Sequence, residues 1–436
     1  MGKNRRSRRP GGHPAKVAQR RERDGGNDAR AAAPGPYRMA RPIVREALEL
    51  TDALDAEVWA SCLLGVFRSQ RDALPANKIG PGIDLVVAGP LIEAIRRIGG
   101  TGARIALSVI ASVDEGELGL RANALAEELS VDTNEPFPDW VAELGQAEIT
   151  GAAVMREDVF DDACTMFLEA RHPNGGVHAL GVVIDNNLGG MATDVLLLAE
   201  SLERVEQIVR DRARPDREVT LERMAPGIAA GRIHAAVELT DMTWNPAVSE
   251  DYLDLRALAV RRGDETPGYV PATESPEISR AERDALMEEF LDSPDAEGFA
   301  ADGEEAYAVS LAIDFCADYV DGRPLRWSPE VVELFMADWI PRKVLGDAEL
   351  FAALPAALDA WVRFAGRKSA LPPTAIALTR DAIPRWHATM IRRSDDPAAG
   401  GPTKLLTAAR QAGIDLEDKQ ALDTFVAGWN ARSEVG

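Results

Sequence analysis

The spacing of apolar residues departs from the helical pattern in one stretch of the chain, and this departure limits the possible folds more than any other feature. Over most of the sequence, apolar residues recur every three or four positions, as they do from Ile43 to Val66, which is typical of amphipathic helices. Between Ala147 and Asp185, β-branched residues concentrate and strand patterns replace the helical ones. The sequence therefore predicts a predominantly helical α+β fold, with one small antiparallel sheet packed with helices.

The predicted strands lie on either side of a turn sequence. They cover the segments Glu148–Arg156, Cys164–Arg171 and Val177–Asp185. The last two are separated by a stretch that contains Asn174-Gly175, and Asn-Gly favours a two-residue type I′ turn because both central residues need positive φ. This turn predicts an antiparallel hairpin.

The assumed turn also predicts which residues face each other. Phe167 should lie opposite Val182, and Glu169 opposite Leu180. The other face is then expected to carry Met166, Leu168, Ala179 and Val183. Because both faces would be largely apolar, helices should cover at least one side of the sheet.

The chain leaves this sheet through the segment Asp185–Gly190, which reads Asp-Asn-Asn-Leu-Gly-Gly. A helix is predicted to follow, with an apolar face formed by Val195, Leu198, Leu202, Val205 and Val209. Asp194 would then lie in the first turn of that helix, where a carboxylate interacts favourably with the helix dipole.

Composition and turn residues divide the chain into four predicted parts. These are a disordered basic tail (1–40), an α+β domain (41–262), a linker rich in Pro, Gly and charged residues (263–276) and a helical domain (277–436). The helical domain contains two clear helix starts. One is the capping-box pattern Ser279–Glu282, and the other is Ser328-Pro329, with Ser as N-cap and Pro at the first helical position.

Charge is distributed very unevenly. The whole chain has a net charge of −22, but residues 1–30 contain ten Lys or Arg and three Asp or Glu, so that segment is +7 and the remainder −29. Arg5, Arg6, Arg8 and Arg9 are therefore candidate nucleic-acid contacts. The alternative is a tail that rests on the acidic body or binds nothing. An acidic body repels polyanions, so nucleic-acid binding is expected only through residues 1–30.

The sequence predicts a cytoplasmic protein without a membrane partner. No stretch of about 18 apolar residues is present, which is the length that a membrane-spanning helix requires. Cys62, Cys164 and Cys316 lie far apart, which fits a reducing compartment and argues against a disulfide framework or a cysteine-based zinc site. We interpret them as small buried apolar residues.

The exit from the hairpin is the best candidate for a catalytic or metal site. His178, Asp185 and Asp194 lie close together in sequence, and Gly189-Gly190 would precede a helix N-terminus that can bind an anion. A metal-dependent hydrolase at this position requires the three side chains to converge. Against this, His178 and Asp185 are seven residues apart and cannot point the same way on one regular strand. A structural turn is the favoured interpretation.

An acidic loop precedes the hairpin. Its carboxylates, from Glu157, Asp158, Asp161 and Asp162, are of the type that holds Mg²⁺. A solvated loop is the favoured interpretation, because Arg156 is the only cation in the same segment.

Aromatic residues concentrate in the helical domain. They include Trp327, Trp339, Trp361, Phe364, Trp386 and His387. Their helical spacing favours a core, and the alternative is a groove that binds a partner, since aromatic residues anchor many interfaces. Arg342-Lys343, a pair of basic residues, follows directly after Trp339-Ile340-Pro341 in this region.

Two stretches of the chain resemble a group of uncharacterised actinobacterial proteins. One stretch is HALGVVIDNNLGG (His178–Gly190) and the other is WSPEVVELFMADWIPRK (Trp327–Lys343). With the segment Gly413–Arg432, the resemblance covers most of residues 45–436. It implies a mixed N-terminal half and a helical C-terminal half, and it implies no activity, cofactor or site residue.

The leading functional hypothesis is a non-catalytic interaction or regulatory protein, without a cofactor, whose helical domain docks a protein partner. No phosphate-binding loop, dinucleotide fingerprint, nucleophile elbow or zinc-protease motif is present, so an enzyme is not favoured. Two alternatives remain: a nucleic-acid-associated protein acting through the tail, and the metal-dependent hydrolase at the hairpin exit.

Overall fold

A computed structural model describes residues 36–72, 83–129, 137–212, 219–272, 277–344, 346, 348–395, 405, 408–410, 412–415 and 418–433. In these residues helices precede and follow one five-stranded antiparallel sheet, which confirms the predominantly helical α+β fold. The predicted basic tail lies outside the described residues, apart from its last few positions. No described helix is long and apolar enough to cross a bilayer.

The N-terminal part is a layer of helices. They are α1 (Pro36–Ala47), α2 (Ala53–Asp72), α3 (Ile83–Ile98), α4 (Gly100–Val113) and α5 (Glu117–Glu128). Their apolar faces share one core, which includes Ile92, Ile95, Ile105, Leu107 and Ile110. The predicted stripe from Ile43 to Val66 is divided between α1 and α2. A short 3₁₀ helix, Asp139–Glu143, leads from this layer to the sheet.

The sheet consists of β1 (Glu148–Arg156), β2 (Ala163–Arg171), β3 (Val177–Asp185), β4 (Met191–Leu198) and β5 (Thr220–Met224), in the order β4-β3-β2-β1-β5. The three predicted strands are confirmed. The predicted helix at Val195 is wrong, because Met191–Leu198 is an edge strand. Gly189 and Gly190 both have positive φ and form the turn into β4, and helix α6 begins only at Leu202 (Leu202–Arg212).

The β2–β3 hairpin has a three-residue loop instead of the predicted two-residue turn. The Gly175 N–H donates to the His172 carbonyl, and the His172 N–H donates to the Gly176 carbonyl, each at 2.8 Å. Pro173 occupies the second position of this turn, which suits type I, and Gly175 follows with φ +89°. This is the common three-residue arrangement for a hairpin.

The extra loop residue shifts the predicted register by one. Phe167 lies opposite Gly181, not Val182, and Glu169 lies opposite Ala179. A shift of one residue exchanges the two faces of a strand. Met166 and Leu168 therefore share a face with Leu180 and Val182, whereas Ala179 and Val183 lie on the face of Phe167.

Helices cover both faces of the sheet. The face of Leu180 and Val182 packs against α7 (Pro226–Met242) and α8 (Glu250–Asp264), and the face of Phe167 packs against α6. Part of the predicted linker lies against α7, since the Val270 N–H donates to the Gly227 carbonyl at 3.1 Å.

The C-terminal part is helical over its described residues. It contains α9 (Arg280–Leu291), α10 (Glu304–Phe315), α11 (Pro329–Glu333), α12 (Ile340–Lys343), α13 (Ala348–Lys368), α14 (Pro373–Asp395) and α15 (Lys419–Ser433). Two π-helical segments interrupt the regular pattern: Cys316–Val320 follows α10, and Leu334–Trp339 joins α11 to α12. The capping box at Ser279 and the Ser328 N-cap are both confirmed.

Candidate functional site

The three metal candidates at the hairpin exit do not converge. His178 is buried on the face of β3 that carries Leu180, and Asp185 falls on the opposite face. The Asp185 carboxylate accepts the Asn187 N–H at 2.8 Å, and the Asp194 carboxylate accepts the Val195 N–H at 2.9 Å. No group of three or more His, Cys, Asp or Glu side chains in the described ranges could hold a metal ion. These contacts correct the metal-site hypothesis, because each carboxylate is used locally.

Gly189-Gly190 also fails as an anion site, because it precedes strand β4 and not a helix.

The hairpin exit instead binds the C-terminal helical part. The Arg326 guanidinium donates to the Asn187 side-chain oxygen at 2.8 Å. Asn186 donates from its side chain to the Asp161 carbonyl, also at 2.8 Å, and so holds the acidic loop against the hairpin exit.

The acidic loop also contacts the helical part. The interpretation as a solvated loop is therefore wrong for two of its carboxylates. Asp162 is 8% exposed and accepts from Arg326 at 2.7 Å, and Asp161 accepts from Arg323 at 2.7 Å. Asp321 accepts a second N–H of Arg326, again at 2.7 Å. We refer to Asp161, Asp162, Asn187, Asp321, Arg323 and Arg326 as the Arg326 cluster.

Burial dominates the electrostatics of Asp162. Loss of solvation raises its pKa, and the nearby Glu330 raises it further, while the Ser328 hydroxyl and Arg326 act in the opposite direction. Asp162 is thus a partly compensated carboxylate at the boundary between the sheet and the helical part.

A second ionic group lies inside the N-terminal half. Arg262 of α8 is fully buried and donates to Glu57 of α2, to Glu265 at 2.8 Å, and to the His178 Nε2 at 3.2 Å. The Glu57 carboxylate also accepts the Gly145 N–H at 3.0 Å. We refer to Glu57, His172, His178, Arg262 and Glu265 as the Arg262 cluster. It joins the helical layer, the sheet and α8.

The two histidines of this cluster are neutral bases in the fold. Their ring centroids are 5.3 Å apart, and His172 Nε2 is 3.9 Å from the Glu57 carboxylate. Burial, assisted by Arg262, lowers both pKa values, that of His178 to about 2; Glu57 opposes the shift at His172. Both rings are almost completely buried, so they support structure and cannot reach a substrate.

The cysteines offer no activated nucleophile. Burial raises the pKa of Cys62 to about 12 and raises those of Cys164 and Cys316. Thiols with raised pKa values stay protonated near neutral pH and react slowly. The interpretation as buried residues holds for Cys164 and Cys316, and Cys62 is partly exposed.

Most aromatic side chains of the helical part form its core. Trp327, Trp339, Trp361 and Phe364 are buried, Trp386 is partly buried, and Phe315 and Phe335 complete the central group of rings. The core interpretation is therefore confirmed for the first four, and they do not line a groove.

Two tyrosines on α10 and its π-helical extension remain exposed. Tyr307 is 50% and Tyr319 is 52% exposed. The Tyr319 ring packs edge-on against Trp339 with centroids 5.4 Å apart, and the Lys343 ammonium lies 5.6 Å from its centroid. Trp339 belongs to the second π-helical segment, and Lys343 belongs to α12, which follows it. This surface therefore depends on the contact between the two π-helical segments. The sequence places Trp339 and Lys343 four residues apart, but no local pattern connects them with Tyr319.

No family model matches the chain, and comparisons with curated proteins and with solved structures also gave no match. Arg5, Arg6, Arg8 and Arg9, the candidate nucleic-acid contacts, lie outside the described residues.

Proposed function

We propose that this chain is a non-catalytic, cytoplasmic interaction protein whose helical part docks a protein partner at the surface around Tyr319. The observation that supports this most directly is the half-exposed Tyr319 ring, fixed between Trp339 and Lys343. Tyrosine is enriched among the residues that dominate binding energies, and a ring held in one orientation loses little entropy on binding.

The two π-helical segments give this surface its geometry. The Asp321 N–H donates to the Cys316 carbonyl, and the Ile340 N–H donates to the Phe335 carbonyl, five residues back in each case. A π-turn inserts one residue into a helix and redirects the side chains around it, and such turns are frequent at functional sites. Here one turn places Tyr319, and the other places Trp339 behind it.

The test is a comparison of two tyrosine variants in a pull-down from an extract of the native host. Tyr319→Ala is expected to lower recovery of the partner about tenfold or more, because a central aromatic anchor is removed. Tyr307→Ala is the matched control, since it removes an equally exposed tyrosine from the same helix. Equal recovery with both variants, or no specific partner with the unaltered chain, would refute the proposal.

A second candidate function follows from the charge of the tail. The ten Lys or Arg against three Asp or Glu in residues 1–30 support nucleic-acid association through Arg5, Arg6, Arg8 and Arg9. Binding to a duplex oligonucleotide should weaken steeply with salt and disappear when residues 1–30 are deleted. Binding that survives the deletion, or that does not change with salt, would exclude the tail as its source.

A further inference from the structure

We infer that the partner presents an acidic segment with an aromatic side chain, an inference that rests on the proposed docking at Tyr319. The receiving surface combines that ring with two cations, and we call it the basic–aromatic patch. Its members are Tyr319, Lys343 and Arg393, and the buried Trp339 ring supports Tyr319 from behind.

The cations of the patch differ from most of the others in the helical part. Most of the others form ion pairs with carboxylates of the fold: Arg283, Arg323, Arg326, Arg342, Arg363, Arg367, Lys368 and Arg380. Lys343 and Arg393 are exposed and form no ion pair with any carboxylate whose side chain the structure describes. In a protein with a large excess of carboxylates, two cations without such a partner are available for a carboxylate from another molecule.

Both cations lie at one end of the helical part. The Arg393 guanidinium donates to the Ala337 carbonyl at 2.6 Å, which places the end of α14 beside the π-helical segment that carries Trp339. Lys343 lies four residues beyond Trp339, over the Tyr319 ring. An acidic segment that crosses this end would meet charge and an aromatic ring together.

Charge complementarity favours an acidic peptide over a nucleic acid or a second copy of this chain. Outside residues 1–30 the chain carries −29, so a long polyanion approaching the patch would be repelled by the surrounding body. A second copy would bring an equally acidic body. A short acidic segment requires only a few cations, and its aromatic side chain can pack against Tyr319 at a distance typical of ring pairs.

The inference can be tested by selecting twelve-residue peptides from a random displayed library on the full-length protein. Peptides that bind the double variant Tyr319→Ala/Lys343→Glu are removed in each round. The retained peptides should be enriched in Asp or Glu near a Phe, Tyr or Trp. Lys343→Glu should weaken a retained peptide about tenfold or more in fluorescence anisotropy, and more strongly at low salt. Arg171→Glu, an exposed site on the sheet with the same charge change, should alter binding less than twofold.

Each other outcome overturns the inference in a recognisable way. Enrichment of basic or uncharged peptides, or no enrichment, excludes an acidic segment. Tighter binding of a single-stranded oligonucleotide through Lys343 would indicate a nucleic acid, and self-association lost in Lys343→Glu would indicate a second copy. If the Tyr319-dependent partner is still captured when Lys343 is changed, the proposed function stands and only the acidic chemistry fails. Lys343→Gln serves as a second variant if circular dichroism shows that the Glu variant misfolds.

Discussion

Arg262 and Arg326 are both buried, and each donates to two carboxylates and a third polar group. The two clusters nevertheless join different parts of the molecule. Arg262 connects helix α2, strand β3 and α8 inside the N-terminal half, and two neutral histidines complete its surroundings. Arg326 connects the acidic loop and the hairpin exit to the C-terminal helical part, and no histidine is among its partners. One cluster holds a core together, and the other holds two regions against each other.

The effect of removing a buried arginine depends on the elements that it joins. A buried ion pair adds little net stability compared with apolar packing, but removing one partner leaves a charge without compensation. Loss of Arg262 would therefore act on the whole N-terminal half, whereas loss of Arg326 would act mainly on the contact between the sheet and the helical part. Three measurements test whether the two clusters differ in this way.

The largest effect is expected for Arg262→Leu. Glu57 and Glu265 would remain buried near each other without their common cation, at a cost of about 3–5 kcal/mol in the free energy of unfolding. Denaturation by urea measures this loss. Arg280→Leu is the control, because the Arg280 side chain is 93% exposed and should change stability by less than about 0.5 kcal/mol. Equal effects of the two substitutions would show that the Arg262 cluster is not a critical element of the core.

A smaller effect of different character is expected for Arg326→Leu. We expect a loss of about 2–3 kcal/mol, because Asp162 and Asp321 lose a charged hydrogen-bond donor. The unfolding of the two halves should also become less cooperative. Hydrogen exchange measures both the loss of stability and the loss of cooperativity. Amides of the helical part should then exchange by openings that leave the sheet protected. If all amides continued to exchange through one global transition, the Arg326 cluster would not be what couples the halves.

The smallest effect is a pH dependence that originates in the histidines of the Arg262 cluster. The pKa values of His172 and His178 are lowered in the fold, so the unfolded chain binds more protons than the folded one below pH 6.5. His178 should contribute a fall in stability of about 1.5 kcal/mol between pH 6.5 and pH 5, and the titration of His172 acts in the same direction. The pKa of Asp162 is raised, so acid protonates it more readily in the folded state and its titration opposes a loss of stability. His178→Gln should flatten the slope, and an unchanged slope would contradict the assignment.

Much of the fold could be predicted because its signals are local. The capping box at Ser279, the Ser328-Pro329 helix start and the strands around the hairpin follow from the side chains of a few adjacent residues. The error in register also had a local signal, since Pro173 before Asn174-Gly175 favours a type I turn and a longer loop. The error at β4 arose because Val195, Leu198 and Leu202 fit helical spacing by coincidence, across the end of a strand and the start of a helix.

The contacts between distant residues could not be predicted from the sequence. Glu57 and Arg262 are 205 residues apart, and Asp162 and Arg326 are 164 apart. A single charged residue beside apolar ones gives no indication of its partner. The same limit applies to the basic–aromatic patch, because Tyr319 and Lys343 meet only after two π-helical segments have turned their side chains. Residues that are close in sequence therefore point to the hairpin exit and not to this surface.

The alternation of small and large residues along β3 has a consequence for misfolding. Ala179 and Gly181 lie on the face of Phe167, where a Cβ at position 181 would come within 2.5 Å of the Phe167 ring. Leu180, Val182 and Ile184 fill the opposite face. A hairpin closed by the two-residue turn would exchange these faces and leave the core of α7 and α8 short of three large side chains. The misregistered hairpin is thus a poor competitor during folding, and Gly181→Val should increase the fraction of chains that aggregate on refolding.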